Sequence, residues 1–173
     1  DAMNMEFAFR RVSRSGNSSL AAALERWLQE LPSEESGLSI SEAQTLDAAR
    51  LGVQTPQELF EAVQETEAAP FRVNWEFWQL LDRLCSGEDP LLRRRDGGDF
   101  LCPPRALAWE AFHAQRLEVT ARGLGVLDGE LHYARGAFPA RWLGGALIDG
   151  NSQWFWNYAR KAIASEPATA IRE

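Results

Sequence analysis

Four side chains of the sequence could bind a soft metal ion or supply a nucleophile or a base. They are Cys85, Cys102, His113 and His132. Zinc sites usually draw on closely spaced ligand pairs such as Cys-x-x-Cys, and no two of these residues have that spacing. We therefore expect neither a metal nor any other cofactor. Two distant cysteines also favour a reducing compartment, and we predict a cytoplasmic protein without a membrane partner.

The motifs that hold a catalytic nucleophile or a bound phosphate are also missing. The sequence contains no Gly-x-Ser-x-Gly elbow and no glycine-rich loop that ends in Gly-Lys-Ser or Gly-Lys-Thr. Gly123 and Gly125 form a Gly-x-Gly pair, but the third glycine of a dinucleotide-binding loop does not follow. We predict that the protein is not an enzyme. An enzyme with an unrecognised site is the third hypothesis, after a protein-interaction module and a DNA-binding protein.

Arginines cluster at two places where they could contact nucleic-acid phosphates. The clusters are Arg93, Arg94 and Arg95 in a predicted wing, and Arg10, Arg11 and Arg14 near the N-terminus. The core around the first cluster, residues 39–130, contains 9 arginines and 16 acidic residues, so it holds the whole net charge of −7. DNA affinity depends largely on neutralising phosphates with cations. The acidic core therefore disfavours nucleic acid as a partner.

Five of the seven tryptophans are candidates for a binding surface. Trp75 and Trp78 lie three positions apart on a predicted helix, which favours core packing and leaves an exposed ridge as the alternative. Trp142, Trp154 and Trp156 belong to a predicted two-stranded ribbon, which cannot bury both of its faces. Large aromatic residues exposed there are typical anchors for a protein partner. These three tryptophans are the candidate interaction surface.

The segments before the core are predicted from composition and helix periodicity. Residues 1–17 are expected to be a flexible basic arm, in which Asp1-Ala2-Met3 is typical of a tag remnant. A first helix is predicted over 18–31, because apolar residues recur there at helical spacing. A linker rich in turn formers separates this helix from the core at 38–130.

Three short helices open the core. The capping boxes Ser39-x-x-Glu42 and Thr55-x-x-Glu58 begin the first two, and Asn74 is expected to cap the third, Trp75 to Cys85. Three helices at this spacing predict a helix-turn-helix-like bundle.

A β wing is predicted after the third helix. Its first strand is 91–94, and its returning strand is either 100–102 or 117–119. A helix over 105–115 lies between these alternatives, and a short helix over 120–127 follows, weakened by its two glycines.

The last predicted element is a β-hairpin over 141–156. Asp149-Gly150 is the strongest short hairpin signal, and a turn there would place Gly145 opposite Trp154 and Leu143 opposite Trp156. A helix is expected to continue over 157–164. Residues 159–173 are the predicted C-terminal tail. We predict one domain over 18–158.

The chain resembles the C-terminal part of an uncharacterised bacterial family, catalogued as a domain of unknown function, some of whose members are labelled as relatives of RNA polymerase sigma factors. The matching residues are Leu31-Pro32, Gly37-Leu38-Ser39, Glu42, Leu59-Phe60, Ala69-Pro70-Phe71, Trp75-x-Phe77-Trp78, Leu81, Pro90-Leu91-Leu92, Thr120-x-x-Gly123, Gly129-Glu130, Arg141-Trp142-Leu143-Gly144-Gly145 and Trp154-x-Trp156. Family members usually carry a further N-terminal domain, and residues 99–116 look like added material here. The resemblance implies a winged-helix-like fold and a bacterial origin, and it implies no catalytic residues.

The patterns together predict a mainly helical α+β protein. We expect a winged-helix-like three-helix core with a β wing, an N-terminal helix and a C-terminal β-hairpin. The leading hypothesis is a non-enzymatic interaction module, regulatory or transcription-associated, that binds a protein partner or an upstream domain. The alternative is a direct DNA-binding protein that uses Arg93, Arg94 and Arg95 on the phosphates and helix 74–85 in the major groove.

Overall fold

The computed structural model describes residues 2–14, 16, 18–103, 109–133, 140–143, 146–149 and 154–164. The contacts divide the chain into two compact units: the first comprises residues 1–40 and 132–173, and the second residues 41–131. The single domain predicted over 18–158 stays a prediction. None of the helices in the described ranges is long and apolar enough to cross a membrane.

The described elements are seven helices and six strands, which confirms the predicted α+β class. The helices are α1 (Ala2–Arg14), α2 (Ser18–Leu28), α3 (Ile40–Arg50), α4 (Pro56–Thr66), α5 (Asn74–Leu84), α6 (Trp109–His113) and α7 (Ala121–Leu127). The strands are β1 (Leu92–Arg94), β2 (Leu117–Val119), β3 (Arg141–Leu143), β4 (Ala146–Ile148), β5 (Phe155–Asn157) and β6 (Ala162–Ala164). They pair as three antiparallel two-stranded sheets, β1 with β2, β3 with β4, and β5 with β6.

The predicted start of α4 is confirmed in detail. The Thr55 hydroxyl accepts a hydrogen bond from the Glu58 N–H, and the Glu58 carboxylate accepts one from the Thr55 N–H. Pro56 occupies the first turn, where a missing N–H leaves no hydrogen bond unmade. The expected cap of α5 is wrong: the N-cap residue is Val73, and the Asn74 side chain accepts only from the next N–H.

The helices of the second unit meet at Trp78, which is 1% exposed. Its ring lies 5.7 Å from that of Phe60, 5.9 Å from that of Phe77 and 4.9 Å from that of Phe112, measured between centroids. Edge-to-face aromatic pairs stabilise by about 1 kcal/mol each beyond the area they bury. This cluster ties α4, α5 and α6 together and confirms the core interpretation of Trp78.

The sheet of the second unit consists of β1 and β2. β1 and β2 pair with Leu92 opposite Val119 and Arg94 opposite Leu117, so the returning strand is the second of the two alternatives. The Leu117 N–H also donates to the carbonyl oxygen of Gln54, in the link between α3 and α4, at 2.8 Å. That link therefore lies alongside β2, on the side away from β1.

The helix α7 needs the glycine at position 123 for close packing. A Cβ at Gly123 would clash with the Leu91 carbonyl oxygen and would lie 2.7 Å from Val119 Cγ1. The Thr120 side chain caps the helix by accepting from the Gly123 N–H. Glycine weakens a helix by its propensity, and the close approach of Leu91, just before β1, and of Val119 in β2 explains why only glycine fits at position 123.

The first unit contradicts three predictions. Residues 2–14 form the helix α1, which packs on α2, so most of the predicted flexible arm is helical. Residues 157–164 are not a helix, because β5 and β6 pair across them with Trp156 opposite Ile163. The strand β6 lies within the predicted C-terminal tail, so part of that tail belongs to a sheet.

The predicted hairpin over 141–156 is wrong as well. β3 pairs with β4, with Leu143 opposite Ala146, so the partner of β3 is residues 146–148 rather than residues 152–156. Trp156 pairs elsewhere: its N–H donates to the Pro32 carbonyl oxygen at 2.8 Å, and its own carbonyl accepts from the Glu34 N–H at 3.0 Å. This non-local pairing buries Trp156 and takes it away from β3.

Candidate interaction surfaces

The candidate DNA-contacting arginines lie on the β1–β2 sheet of the second unit. Arg93 is directly opposite Glu118, and its Nη2 atom lies 2.8 Å from Glu118 Oε1. The Nε atom of Arg95 lies 3.4 Å from Glu118 Oε2. One carboxylate therefore pairs with two guanidinium groups, which are 63% and 54% exposed. Exposed ion pairs contribute about 1 kcal/mol or less to stability, so the main effect here is to lower the local positive charge.

Arg94 is held by the turn that follows β1. Its Nη2 atom pairs with the Asp96 carboxylate, and its Nη1 atom donates to the Asp99 carbonyl oxygen at 2.9 Å. A hydrogen bond from the Gly98 N–H and another from Arg94 lower the pKa of Asp96. This carboxylate therefore stays charged at neutral pH. Each of the three candidate nucleic-acid contacts already has an acidic partner in its own unit.

A groove of about 460 Å³ opens beside this turn. Its lining residues are Arg94, Arg95, Asp96, Ala111, Ala114, Gln115 and Arg116. Gln115 shapes the groove by binding both main-chain groups of Leu101, at 2.9 and 3.1 Å. Arg116 was missed from sequence, because only the register of β2 reveals that it lies next to Arg95.

The exposed side of α5, the predicted base-reading helix, is not basic. Trp75 is 43% exposed, and Glu76 and Gln79 are exposed beside it. The core interpretation of this tryptophan pair is therefore wrong for Trp75. Arg83 is the only arginine of α5, and it is half-buried. A helix that presents an indole and a carboxylate is poorly suited to a phosphate-lined major groove.

The three candidate tryptophans of the first unit have different environments. Trp142 is 73% exposed on β3, directly opposite Leu147, which is 43% exposed on β4. Ile148, the next residue of β4, is fully buried, so the two faces of this hairpin differ sharply. Trp154 is half-buried and Trp156 is buried. The exposed ridge is therefore Trp142 with Leu147, and Leu147 was not predicted because the strands were paired wrongly.

The N-terminal arginines lie on α1. Arg10 and Arg14, one helical turn apart, line a groove of about 440 Å³ together with Glu25 and Lys161. The Lys161 Nζ atom pairs with Glu25 Oε1 at 2.7 Å, which neutralises one of the three cations. Arg11 is exposed. The cluster seen in the sequence is thus divided between a groove and open solvent.

The soft ligands do not come together as a metal site. Among the described residues, no group of three or more His, Cys, Asp and Glu side chains could hold a metal ion. His113 stacks on Trp109 at 5.7 Å between ring centroids, and His132 lies 5.7 Å from Phe155. Burial, and then the charge of Asp82, raise the pKa of the Cys85 thiol well above its usual range. A thiol that stays protonated is a poor nucleophile.

No family profile, no curated protein and no solved structure matches the chain in the comparisons with known proteins. The resemblance to the bacterial family with sigma-factor-like members stays a prediction. The surfaces described above are the basis for assigning a function.

Proposed function

We propose that the chain is a non-enzymatic, winged-helix-like interaction module, regulatory or transcription-associated, that binds a protein partner rather than DNA. The order of elements supports the fold proposal. The helices α3, α4 and α5 are followed by the antiparallel strands β1 and β2, with α6 between the strands, and the link between α3 and α4 lies beside β2. This order of elements favours a helix-turn-helix bundle followed by a β wing.

The proposal that the chain does not bind DNA rests mainly on one observation: Glu118 pairs with both Arg93 and Arg95. A wing that contacts phosphates must offer cations, and here the facing strand supplies their counter-charge. A duplex needs several phosphate contacts at once, and the wing would have to break both of these pairs to make them, which lowers the free energy gained from duplex binding. The unit as a whole carries a net negative charge, since residues 41–131 contain 9 arginines and 16 acidic residues.

The ridge of Trp142 and Leu147 supports a protein partner. Both side chains are presented on a short hairpin whose position is fixed by a hydrogen bond from Arg141 Nη2 to the Glu30 carbonyl oxygen, at 2.9 Å. A preorganised aromatic anchor loses little conformational entropy on binding. The first unit, which carries this ridge, has no net charge, because the whole net charge of −7 lies on residues 39–130. Charge therefore does not oppose an apolar contact at the ridge.

A direct test is fluorescence anisotropy with a labelled, mixed-sequence DNA duplex, at about 50 mM and about 200 mM salt. The proposal predicts no binding at either salt concentration. Binding that weakens steeply with salt, and that is lost when Arg93, Arg94 and Arg95 are all replaced by alanine, would overturn it in favour of DNA.

A further inference from the structure

The second unit places two like charges opposite each other at the end of its sheet. The Arg95 N–H donates to the Arg116 carbonyl oxygen at 2.9 Å, which extends the β1–β2 register by one pair beyond Arg94 and Leu117. Side chains of directly opposed residues lie on the same face of a sheet, and opposed like charges destabilise it. Arg95 and Arg116 also line the same groove.

The acidic residues near this pair leave it with excess positive charge. Arg94, Arg95 and Arg116 line the groove, Arg93 precedes them in β1, and their ion pairs involve the carboxylates of Asp96 and Glu118. The Glu58 carboxylate accepts a hydrogen bond from the Thr55 hydroxyl at 2.6 Å and also interacts with the charge of Arg116, so it is a third negative charge nearby. Four guanidinium groups near three carboxylates leave about one positive charge in excess beside an exposed groove.

The geometry points to a binding site for a phosphate monoester between Arg95 and Arg116, and specifically for a phosphorylated side chain of the protein partner. This inference rests on the proposed function. A phosphorylated serine carries about −1.5 to −2 charges at pH 7, and the two guanidinium groups of Arg95 and Arg116 together match that charge. Guanidinium groups bind phosphate oxygens in a bidentate manner, and the methyl groups of Ala111 and Ala114 leave room for the rest of the side chain.

The same charges favour an isolated phosphate over a nucleic-acid strand. A single phosphate monoester meets only the local excess beside Arg95 and Arg116. A duplex would bring many further phosphates against a unit that contains 16 acidic residues. The expected ligand is thus one phosphorylated residue in an otherwise basic segment. The phosphate would contact the arginines of the groove, and the basic residues around it would face the acidic surface of the unit.

The test is a set of NMR titrations of the ¹⁵N-labelled chain. The probes are inorganic phosphate, O-phosphoserine, and a basic peptide with one phosphoserine beside its unphosphorylated form. Binding should shift the amide signals of Arg95, Ala111, Ala114 and Arg116, and the phosphopeptide should bind more tightly than the unphosphorylated peptide. Arg95→Gln and Arg116→Gln should each weaken phosphopeptide binding about tenfold or more, because each removes a charge-assisted hydrogen-bonding group.

Two controls keep the inference falsifiable. Arg50→Gln removes an exposed arginine of the same unit that pairs with Asp47 and Asp128, and it should leave binding unchanged. Arg116→Gln relieves the like-charge contact, so the unliganded variant should unfold at a temperature no lower than the wild type. Equal binding by wild type and both groove variants, or no shift with any phosphate probe, overturns the inference. Tight duplex binding through Arg95 and Arg116 would instead overturn the proposed function.

Discussion

Glu118 lies directly opposite Arg93 in the β1–β2 sheet, and their side chains are joined at 2.8 Å. The same carboxylate also pairs with Arg95. The most basic stretch of the sequence is therefore partly neutralised by a residue more than twenty positions away. The surface around β1 is therefore less positive than the run of three arginines in the sequence suggests. This lower positive charge is the reason that we favour a protein partner over DNA.

The close approach of α7 to the Leu91 carbonyl group predicts a large effect of Gly123→Ala. The added methyl group would clash with the Leu91 carbonyl oxygen, which belongs to the backbone and cannot rotate away. We expect the free energy of unfolding to fall by about 1–3 kcal/mol, measured by urea denaturation.

Gly125→Ala is the matched control on the same helix. Its new methyl group would lie 3.0 Å from Leu131 Cδ1, the end of a flexible side chain that can move. We expect a clearly smaller loss than at position 123. Equal losses at the two positions would contradict the packing account of Gly123.

The capping box of α4 predicts an acid-sensitive contribution to stability. Hydrogen bonds from Thr55 chiefly, and then the charge of Arg116, lower the pKa of Glu58. A folded-state pKa below the unfolded value of about 4.3 means that the ionised carboxylate stabilises the folded unit. This contribution is present above the unfolded value and is lost as the pH falls through the folded value.

Thr55→Ala should remove the cap and part of this pH dependence. We expect a loss of about 1 kcal/mol at neutral pH, and a smaller further loss on acidification than in the wild type. Urea denaturation at neutral and acidic pH measures both effects. Thr66→Ala, at the other end of the same helix, should keep the wild-type pH dependence. The capping account fails if the two variants respond to acid identically.

Trp142 and Trp156, which are both in the first unit, should differ in how much their replacement by alanine lowers stability. Trp142 is largely exposed, so Trp142→Ala should change the free energy of unfolding by about 0.5 kcal/mol or less. Trp156 is 1% exposed and its main chain joins residues 32–34, so Trp156→Ala should cost about 3–5 kcal/mol. Thermal unfolding of both variants checks this. A large loss at Trp142 would mean that its side chain stabilises the fold and is not held out for a partner.

Local signals predicted the second unit well. The Thr55 box and the order of helices depend on residues that are close in sequence, so their physical causes are visible there. The start of α5 was missed because Val73, which has no capping side chain, precedes it. The role of Gly123 was also invisible, since it depends on the approach of a distant carbonyl group.

The errors in the first unit have a common cause. Gly144-Gly145 and Asp149-Gly150 are both good turn sequences, and local chemistry cannot choose between them. The choice depends on Trp156, which pairs with Ser33 and Ile163 and leaves Ala146–Ile148 as the partner of β3. The ridge residue Leu147 and the groove residue Arg116 were missed for the same reason, because both positions follow from strand register.

The most direct test of the central claim is duplex binding by Glu118→Gln, measured by fluorescence anisotropy at about 50 mM salt. This variant frees Arg93 and Arg95 from their shared partner. Glu61→Gln is the control, because it makes the same change in net charge at an exposed carboxylate that accepts only from Gln57. We predict duplex binding by Glu118→Gln alone, with the wild type and Glu61→Gln inactive. Wild-type binding as tight as that of Glu118→Gln, lost on replacing Arg93 and Arg95, would contradict the account.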